Sequence, residues 1–528
     1  MALFWFGQTQ FLAYFSKPSS LILSCYCSFS QFSHLTSLKK VIVIGAGFAG
    51  LSAATSLADK GFDVTILEKN AVAGGRARIF KTDGYTFDMG PSWYWMPDVF
   101  ENYFAKFGKK PADYYNLVRL DPSYAVIFGQ NDKVDIPAGI EKLKVLFEQI
   151  ETGSGARLEE FLRQAAYKYD VGMNKFVWKP SRSLGEFVSL KLLYDLSRLD
   201  VLQSFAGHVR KFFSDPKLLK LMEFPILFLG ATPENTPAMY SLMNYAEIAL
   251  GTWYPMGGMH EIVKGMVQLA QEKGVRILLN QNVQKIEVQN GNAKQVRTQT
   301  DTFEADVVVA GADYHHVDTQ LLDAQYHNYS ASYWDKRTLA PSSLLYYLGV
   351  NKRVPKLQHH NLFFDEDFKQ HAFEIYTEPQ WPSKPLFYVS APSKTDPSIA
   401  PEGCENVFVL IPVATNLKDD TEAVREKYYN LVMERLEAFV GEPIRPHVVF
   451  KRTFAHADFI ADYNAFKGNA YGLANTLLQT AFLKPSLKSK KVGNLYYTGQ
   501  LTVPGPGVPP SLISGLVVAD EVEKEFNL

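Results

Sequence analysis

Three glycines and one carboxylate carry the clearest chemical signal in this sequence. Gly45, Gly47 and Gly50 follow a run of β-branched apolar residues and have the G-x-G-x-x-G spacing. In such a loop the first glycine permits a tight turn, the second lets a pyrophosphate approach the backbone, and the third lets helix and strand pack closely. Glu68 ends the next apolar run, where the acceptor for a ribose hydroxyl belongs. Together these residues predict a dinucleotide site.

A strand, a helix and a second strand must position these groups. Val41–Ile44 predicts a buried parallel strand, and Asp63–Leu67 predicts its neighbour. The helix between them starts at the glycine loop, so its free N–H groups and positive dipole end face the anion. Ala46 and Ala49 in the loop, and Lys69 after the acid, are therefore also predicted to bind the cofactor.

Composition excludes several classes of partner and site. A net charge of −1 gives no indication of a nucleic-acid partner. The three cysteines, Cys25, Cys27 and Cys404, form neither a disulfide framework nor a C-x-x-C metal site, which fits a reducing, intracellular compartment. His315-His316 and His359-His360 lack further ligands at metal-binding spacing, so we interpret them as surface or loop histidines and predict no metal site.

Residues 1–38 differ from the rest of the chain. They contain no acidic residue and one basic residue, Lys17, among many serines and aromatics. The charged start and continuous apolar core of a secretory signal are missing, and so are the arginines of a transit peptide. We predict a disordered or artefactual extension, with the folded protein beginning near Lys39; a membrane-touching segment is the alternative. The remaining sequence has no apolar run long enough to predict a transmembrane helix.

Two later segments are predicted to add strands to the domain that holds the dinucleotide site. The run Phe303–Ala312 predicts another buried parallel strand, and Asn494–Gly499 predicts a strand ending at glycine. A proline-led helix then starts near Ser511; if a flavin lay beside it, its positive dipole end would stabilise the negative charge of the reduced ring. We predict an α/β fold with the discontinuous cofactor domain 39–100, 251–312 and 490–528, a helical substrate or membrane-associated region 101–250, and a substrate domain of mixed sheet and helices 313–489.

The two intervening regions contain more local predictions. Residues 191–222 interleave basic and apolar side chains, so this stretch either lies on an anionic membrane surface or packs on its own domain; both remain open. Trp253–Gly258 predicts a turn before a helix. The other predicted elements are the helices Met259–Lys273 and Glu422–Phe439 and the strands Leu344–Val350, Leu386–Ser390 and Val407–Pro412.

Several blocks, taken in order, resemble those of the carotenoid-type phytoene desaturases, a flavoprotein group related to amine oxidases and protoporphyrinogen oxidase. The match runs from about residue 39 to the end and looks like the bacterial branch. At Gln500 and Pro510 the tail departs from the family's glycine pattern, so flavin contacts are not carried over to these two positions. The blocks are Gly74-Gly75-Arg76, Phe87–Ser92, Trp253–Gly258 and Asn494–Gly515.

The resemblance implies a Rossmann-like FAD-binding domain of the GR2 type, an inserted α+β substrate domain and a helical, membrane-facing part. FAD would be bound non-covalently. The paired glycines and arginine near residue 75 would meet a phosphate or the flavin, and Val283 would contact the adenine side through its backbone. The implied contacts beyond the first loop are Gly75, Arg76, Gly90, Pro91, Ser92, Val283, Gly499 and Val508.

The resemblance further implies desaturation of 15-cis-phytoene toward lycopene. The allylic C–H would deliver hydride to flavin N5, an adjacent proton would leave, and a quinone or O₂ would take the electrons. Because phytoene resides in the bilayer, it implies a bacterial cytoplasmic enzyme attached peripherally to the membrane. No catalytic residue is identified, since nothing singles out Asp462 or His456.

Two other functions remain open. The substrate could be another carotenoid, such as C30 diapophytoene or a hydroxylated carotenoid, or it could be retinol, as in a retinol saturase. Alternatively the chain could bind prenyl groups without flavin, as Rab GDP-dissociation inhibitors do. Intact glycines at 45, 47 and 50 together with Glu68 argue against this last function.

Overall fold

The computed structural model describes residues 38–182, 199–476 and 479–526, except the side chains of 227–229. The description below concerns the compact unit Lys39–Leu528. The predictions for residues 1–38 lie almost wholly outside the described residues. The basic stretch 191–222 is described only from residue 199 onward.

A five-stranded parallel sheet holds the first strand at its centre. Val41–Ile44 is fully apolar and buried, as expected for a strand covered on both faces. It pairs with Asp63–Leu67 on one side and Val307–Ala310 on the other, which confirms these predicted strands. The strand order is Leu495–Tyr497, Val307–Ala310, Lys40–Ile44, Asp63–Leu67, Arg276–Leu278.

The first and last helices of the described chain pack against each other beside this sheet. Phe48–Asp59 starts at the glycine loop, and Val508–Phe526 begins slightly earlier than the predicted Ser511. A Cβ on Gly515 would lie 2.3 Å from the Ala49 carbonyl oxygen, so only glycine permits this close approach. The contact joins the glycine loop to the C-terminal tail across the whole length of the sequence.

A second, seven-stranded mixed sheet lies on the other side of the cavity described below. Successive side chains along its strands point to opposite faces. Leu345 and Tyr347 belong to one apolar cluster; Tyr346 and Leu348 belong to another, which includes side chains of the helix Glu422–Val440. One sheet face is therefore covered by that helix, and the other is turned toward the cavity. The strand order is Val448–Phe454, Ser342–Val350, Glu405–Val413, Phe387–Ser390, His360–Phe363, Tyr124–Gly129, Asp132–Ile136.

Two predictions for the middle of the chain are wrong in detail. The region 101–250 is not helical throughout, because Tyr124–Gly129 and Asp132–Ile136 form a hairpin that extends the seven-stranded sheet. Trp253–Pro255 is not part of a turn but a strand paired with Leu117–Arg119. Short strands of this kind gain their stability from distant partners, so local periodicity understates them.

The remaining elements complete the unit. Within the described ranges, no helix combines the length and apolarity needed to cross a bilayer. The remaining strands are Ile79–Thr82 with Tyr85–Asp88, and Val283–Gln289 with Asn292–Thr298 and Thr302–Glu304. The remaining helices are Pro97–Ala105, Ile140–Ile150, Ser154–Val171, Phe205–Val209, Pro216–Glu223, Leu242–Asn244, His260–Glu272, Tyr314–His316, Ala331–Asp335, Phe368–Tyr376 and His456–Tyr463.

Candidate active site

The glycine loop has the geometry of a phosphate-binding turn. Gly45 has φ +98°, which favours glycine, and a Cβ on Gly50 would lie 2.0 Å from the Gly45 carbonyl oxygen. Gly47 differs from both, since its φ is −79° and a Cβ there would meet no described atom within 4 Å. Nothing in the described protein therefore requires glycine at position 47. The open space beside it fits the approach of a pyrophosphate.

Glu68 ties the second strand to this loop. Its Oε2 accepts a hydrogen bond of 2.8 Å from the Ala46 N–H, and its Oε1 accepts from the Asn70 N–H at 2.8 Å. The carboxylate is buried and lines the same cavity as Gly47. It therefore lies beside the glycine turn, and its role as the ribose acceptor stays a prediction.

One continuous cavity brings the predicted site residues together. Ala46 and Gly50 are the exceptions, because they support the wall from behind rather than lining it. Distant sequence blocks thus converge on one cavity, and the contacts of their residues with the cofactor stay a prediction. The predicted residues on the wall are Gly45, Gly47, Ala49, Glu68, Lys69, Gly75, Arg76, Gly90, Pro91, Ser92, Val283, Gly499 and Val508.

Arg76 places a buried guanidinium with one spare donor on this wall. Its Nη2 donates to the Asn469 carbonyl oxygen at 3.3 Å, but its Nε has no hydrogen-bond partner among the described residues. Burial lowers the pKa of Arg76, and the nearby Asp313 carboxylate works in the opposite direction. An arginine nevertheless remains protonated in proteins. A buried guanidinium with a spare donor fits a phosphate or another anionic cofactor group.

Asp88 joins two of the sequence blocks, a role that no local sequence pattern predicts. Its carboxylate accepts from the Met259 N–H at 2.7 Å and the His260 N–H at 3.0 Å. A Cβ on Gly258 would lie 2.8 Å from this carboxylate, so the glycine makes room for it. Burial raises the pKa of Asp88 to about 7, and the two N–H donors oppose that rise. The contact fixes the chain that leads into Gly90.

The C-terminal tail closes the far end of the dinucleotide side. Gly499 N–H donates to Ser514 Oγ at 3.1 Å, and Thr498 Oγ1 donates to the same oxygen at 2.8 Å. Val508, the first residue of the last helix, lines the cavity. The N-terminus of a long helix therefore faces the cavity and favours negative charge there.

Past this end the cavity becomes apolar and aromatic. The wall there includes Trp93, Phe364, Ile375 and Leu410, supplied in part by the cavity face of the seven-stranded sheet. Long stretches of such wall suit an apolar ligand.

Neither acid/base candidate from the sequence is placed to react in the cavity, because Asp462 is ion-paired and His456 does not line the wall. Asp462 pairs with the Arg78 guanidinium. His456 Nε2 is hydrogen-bonded to the Ala414 carbonyl at 2.6 Å.

The histidine pairs are placed differently from our interpretation. His359 and His360 are not surface residues: both are buried, and His360 starts a strand of the seven-stranded sheet. The His360 ring stacks on Trp93 with centroids 4.1 Å apart. His315 and His316 are partly buried in a short helix. Over the described ranges, no group of His, Cys, Asp and Glu side chains could hold a metal ion.

Comparison with known proteins assigns the chain to a family. A family model described as flavin containing amine oxidoreductase matches residues 48–523. The chain belongs to this family. This flavin oxidoreductase also resembles a solved oxidoreductase from Methanosarcina mazei, with a TM-score of 0.59, 15% identity, and coverage of 91% of this chain and 100% of that one. At that identity the likeness concerns the fold alone.

Curated relatives of this flavin oxidoreductase are desaturases of several kinds. A carotenoid 3,4-desaturase from Haloarcula japonica is 42% identical, over 92% of this chain and 98% of the relative. A zeta-carotene-forming phytoene desaturase from Myxococcus xanthus is 33% identical, over 92% and 94%. A 4,4'-diapophytoene desaturase from Staphylococcus aureus is 32% identical, over 92% and 99%.

These matches place this flavin oxidoreductase among the carotenoid-type desaturases, as the sequence blocks predicted. It is an FAD-dependent oxidoreductase acting on CH–CH bonds. The flavin-free prenyl-binding alternative is accordingly set aside.

Proposed function

We propose that this enzyme desaturates a linear carotenoid, with phytoene converted toward lycopene as the first reaction to test. The observation that supports this most directly is the cavity itself. It runs from the glycine loop and Glu68 to an aromatic wall on the seven-stranded sheet. One site thus offers polar contacts for a dinucleotide and an apolar surface for a polyene.

In this proposal the residues of the chain bind the cofactor and orient the substrate. Gly47 leaves space for the cofactor's phosphates, and Glu68 offers a carboxylate beside it for a ribose hydroxyl. Bound FAD supplies the two-electron acceptor for hydride from an allylic C–H. The aromatic wall excludes water and holds the saturated bond of the substrate against the acceptor. In this proposal Gly90, Pro91 and Ser92, which Asp88 fixes in place, form the junction between the two halves.

The proposal extends to the acceptor, the location and the domains. A quinone or O₂ would take the electrons, and the protein would attach peripherally to the bacterial cytoplasmic membrane in which phytoene dissolves. The discontinuous cofactor domain, the inserted substrate domain and a membrane-facing helical part remain as proposed from the sequence. The apolar wall supports such an arrangement, because a polyene must enter the cavity from an apolar phase.

A second candidate keeps the chemistry and changes the substrate. Identity to the Haloarcula 3,4-desaturase is 42%, against 33% to the Myxococcus phytoene desaturase. This difference favours a carotenoid that is already desaturated. The C30 substrate named for the Staphylococcus relative, hydroxylated carotenoids and retinol complete the set of alternatives.

A substrate panel tests both candidates. FAD-loaded full-length protein is mixed anaerobically with liposomes carrying phytoene, lycopene, a hydroxylated carotenoid, diapophytoene or retinol, with a quinone as acceptor. Phytoene is expected to bleach the flavin and to yield coloured products by chromatography. Bleaching by lycopene alone would establish the second candidate. Absence of bleaching with every carotenoid would refute carotenoid desaturation by this chain.

A further inference from the structure

The proposed desaturation releases two hydrogens, and the cavity wall offers one pair of side chains suited to receive the second. We propose that Tyr388, backed by His360, accepts the proton that the substrate loses beside the carbon that gives up hydride. This inference rests on the proposed function. It concerns side chains of the seven-stranded sheet whose role no local sequence pattern predicts.

The two residues form a buried polar pair at the junction of the cavity. Tyr388 lines the cavity together with Pro91 and Ser92. Its hydroxyl is 2.6 Å from Nδ1 of His360, which lies behind it and is 0% exposed. Nε2 of His360 has no hydrogen-bond partner among the described residues. Trp93 stacks on the imidazole at 4.1 Å and fixes its plane. A buried polar group left half-satisfied beside a reaction cavity calls for a functional explanation.

Two other titratable groups that line the cavity are already engaged. His371 Nε2 is bonded to the Pro412 carbonyl and its Nδ1 accepts from the Leu386 N–H, each at 3.0 Å, so it has no lone pair to offer. Asp462 is held by the Arg78 guanidinium. A proton acceptor needs a free lone pair at the reacting atom, directly or through one relay.

The remaining carboxylates lie on the dinucleotide side of the cavity. Glu68 accepts from the Ala46 and Asn70 N–H groups beside the glycine loop. Asp313 accepts from the His316 and Phe466 N–H groups and faces the Arg76 guanidinium. Neither belongs to the aromatic wall that would hold the polyene.

The proposed relay requires one direction of the hydrogen bond between the two side chains. The Tyr388 hydroxyl must donate its proton to Nδ1 of His360, 2.6 Å away, and the imidazole must then carry its own proton on Nε2. The imidazole is neutral, because burial holds its pKa well below the usual range.

The step balances as follows. One C–H bond of the substrate breaks with its electron pair, which leaves as hydride to FAD. The C–H bond on the adjacent carbon breaks next; its electron pair becomes the new C=C bond, and its proton goes to Tyr388 Oη. As that proton arrives, the original phenol proton passes to His360 Nδ1. A quinone that later removes the two electrons takes up this proton and the one delivered with the hydride.

A weak base suffices for this step. A C–H bond next to a carbocation is strongly acidic, so even an imidazole of low basicity accepts its proton. That low basicity also keeps the imidazole unprotonated before the reaction. Positioned acid–base groups of this kind contribute about 10²–10⁴-fold to rates.

The test compares Tyr388→Phe with the matched control Tyr376→Phe, whose ring lines the same cavity. Both full-length variants are loaded with FAD, and formation of the new double bond is followed anaerobically in single turnovers, by carotenoid absorbance, with the carotenoid that the wild type oxidises. We expect Tyr388→Phe to slow formation of the double bond by about 100-fold and Tyr376→Phe to change it by less than about threefold. Deuterium on the carbon that loses the proton should slow Tyr388→Phe more than the wild type, which a merely structural role would not produce.

A second measurement needs neither cofactor nor turnover. Nitrogen NMR of ¹⁵N-histidine-labelled flavin-free protein, with His360→Phe to assign the signal, should show the His360 proton on Nε2. An Nδ1–H tautomer would overturn the relay. A wild-type rate and isotope effect in Tyr388→Phe would overturn the proton-acceptor role while leaving the proposed function intact. If no carotenoid of the panel reduces the flavin of the wild-type protein, both the proton-acceptor role and the proposed function are overturned.

Discussion

Gly47 and Gly50 are three residues apart, yet substituting each with alanine should damage different properties. At Gly50 the added Cβ would lie 2.0 Å from the Gly45 carbonyl oxygen, where an ordinary contact begins at 3.4 Å. The helix Phe48–Asp59 must then move away from the sheet by roughly the difference, more than 1 Å. Overpacking of this kind costs about 1–3 kcal/mol of unfolding free energy.

Gly47→Ala should leave the flavin-free protein nearly unchanged. No described atom lies within 4 Å of the added Cβ, and the φ of −79° suits alanine. Lower entropy of the unfolded chain stabilises by about 0.4–1 kcal/mol, and the poorer helix cap offsets a similar amount. The methyl group would instead occupy the space of the pyrophosphate. We expect the Kd for FAD to rise at least tenfold, about 1.4 kcal/mol of binding free energy.

Two assays separate these effects. Urea denaturation of flavin-free protein measures stability, and titration followed by flavin fluorescence measures FAD affinity. Gly50→Ala should lower the stability of the flavin-free protein, whereas Gly47→Ala should lower only the affinity for FAD. Wild-type FAD affinity in Gly47→Ala would show that the open space is not the phosphate site. A loss of stability in Gly47→Ala equal to that of Gly50→Ala would refute the distinction between the two glycines.

Two further variants test the buried charges. Glu68→Gln should destabilise the flavin-free protein by about 1–3 kcal/mol and weaken FAD binding about tenfold, because an amide N–H₂ would face the Ala46 or Asn70 donors. Asp63→Asn, on the same strand, is the control in both assays. Unchanged FAD affinity in Glu68→Gln would count against the ribose-acceptor role. Lys484 is buried, its Nζ lacks a hydrogen-bond partner among the described residues, and burial lowers its pKa from 10.5 to about 7. The folded state therefore gains stability as pH rises from about 7 toward 10.5, and Lys484→Met should raise the unfolding free energy by up to about 4 kcal/mol at pH 7. An equal gain at pH 7 and pH 9 in urea denaturation would contradict this sign.

The dinucleotide half was predictable because its signals are local. Gly45, Gly47 and Gly50 act through their own backbone, and the strand Val41–Ile44 is recognisable from its continuous burial. Glu68 follows the adjoining parallel strand, so its position in the sequence predicts that it lies beside the glycine loop. Resemblance to known blocks added Gly90 and Val508, which lie on the same wall.

The polyene half was not predictable in the same way. Asp88 accepts hydrogen bonds from backbone N–H groups 171 and 172 residues later, and no local sequence pattern predicts these partners. The sequence predicts a surface or loop position for His360 because the pair lacks further ligands at metal-binding spacing. Pairing with the hairpin Tyr124–Ile136 and with Phe387–Ser390 buries it instead. Burial of this kind depends on which strands become neighbours.

The sequence alone thus determined the cofactor end: the turn, the strand pair, the acid beside them and the family of flavin enzymes. Tertiary structure decided the other end, where Trp93, Tyr388 and His360 meet from separate strands and loops. The physical reason is the range of the interactions. A phosphate is held by consecutive backbone groups of one loop, whereas an apolar wall with a polar pair in it exists only after distant strands have paired.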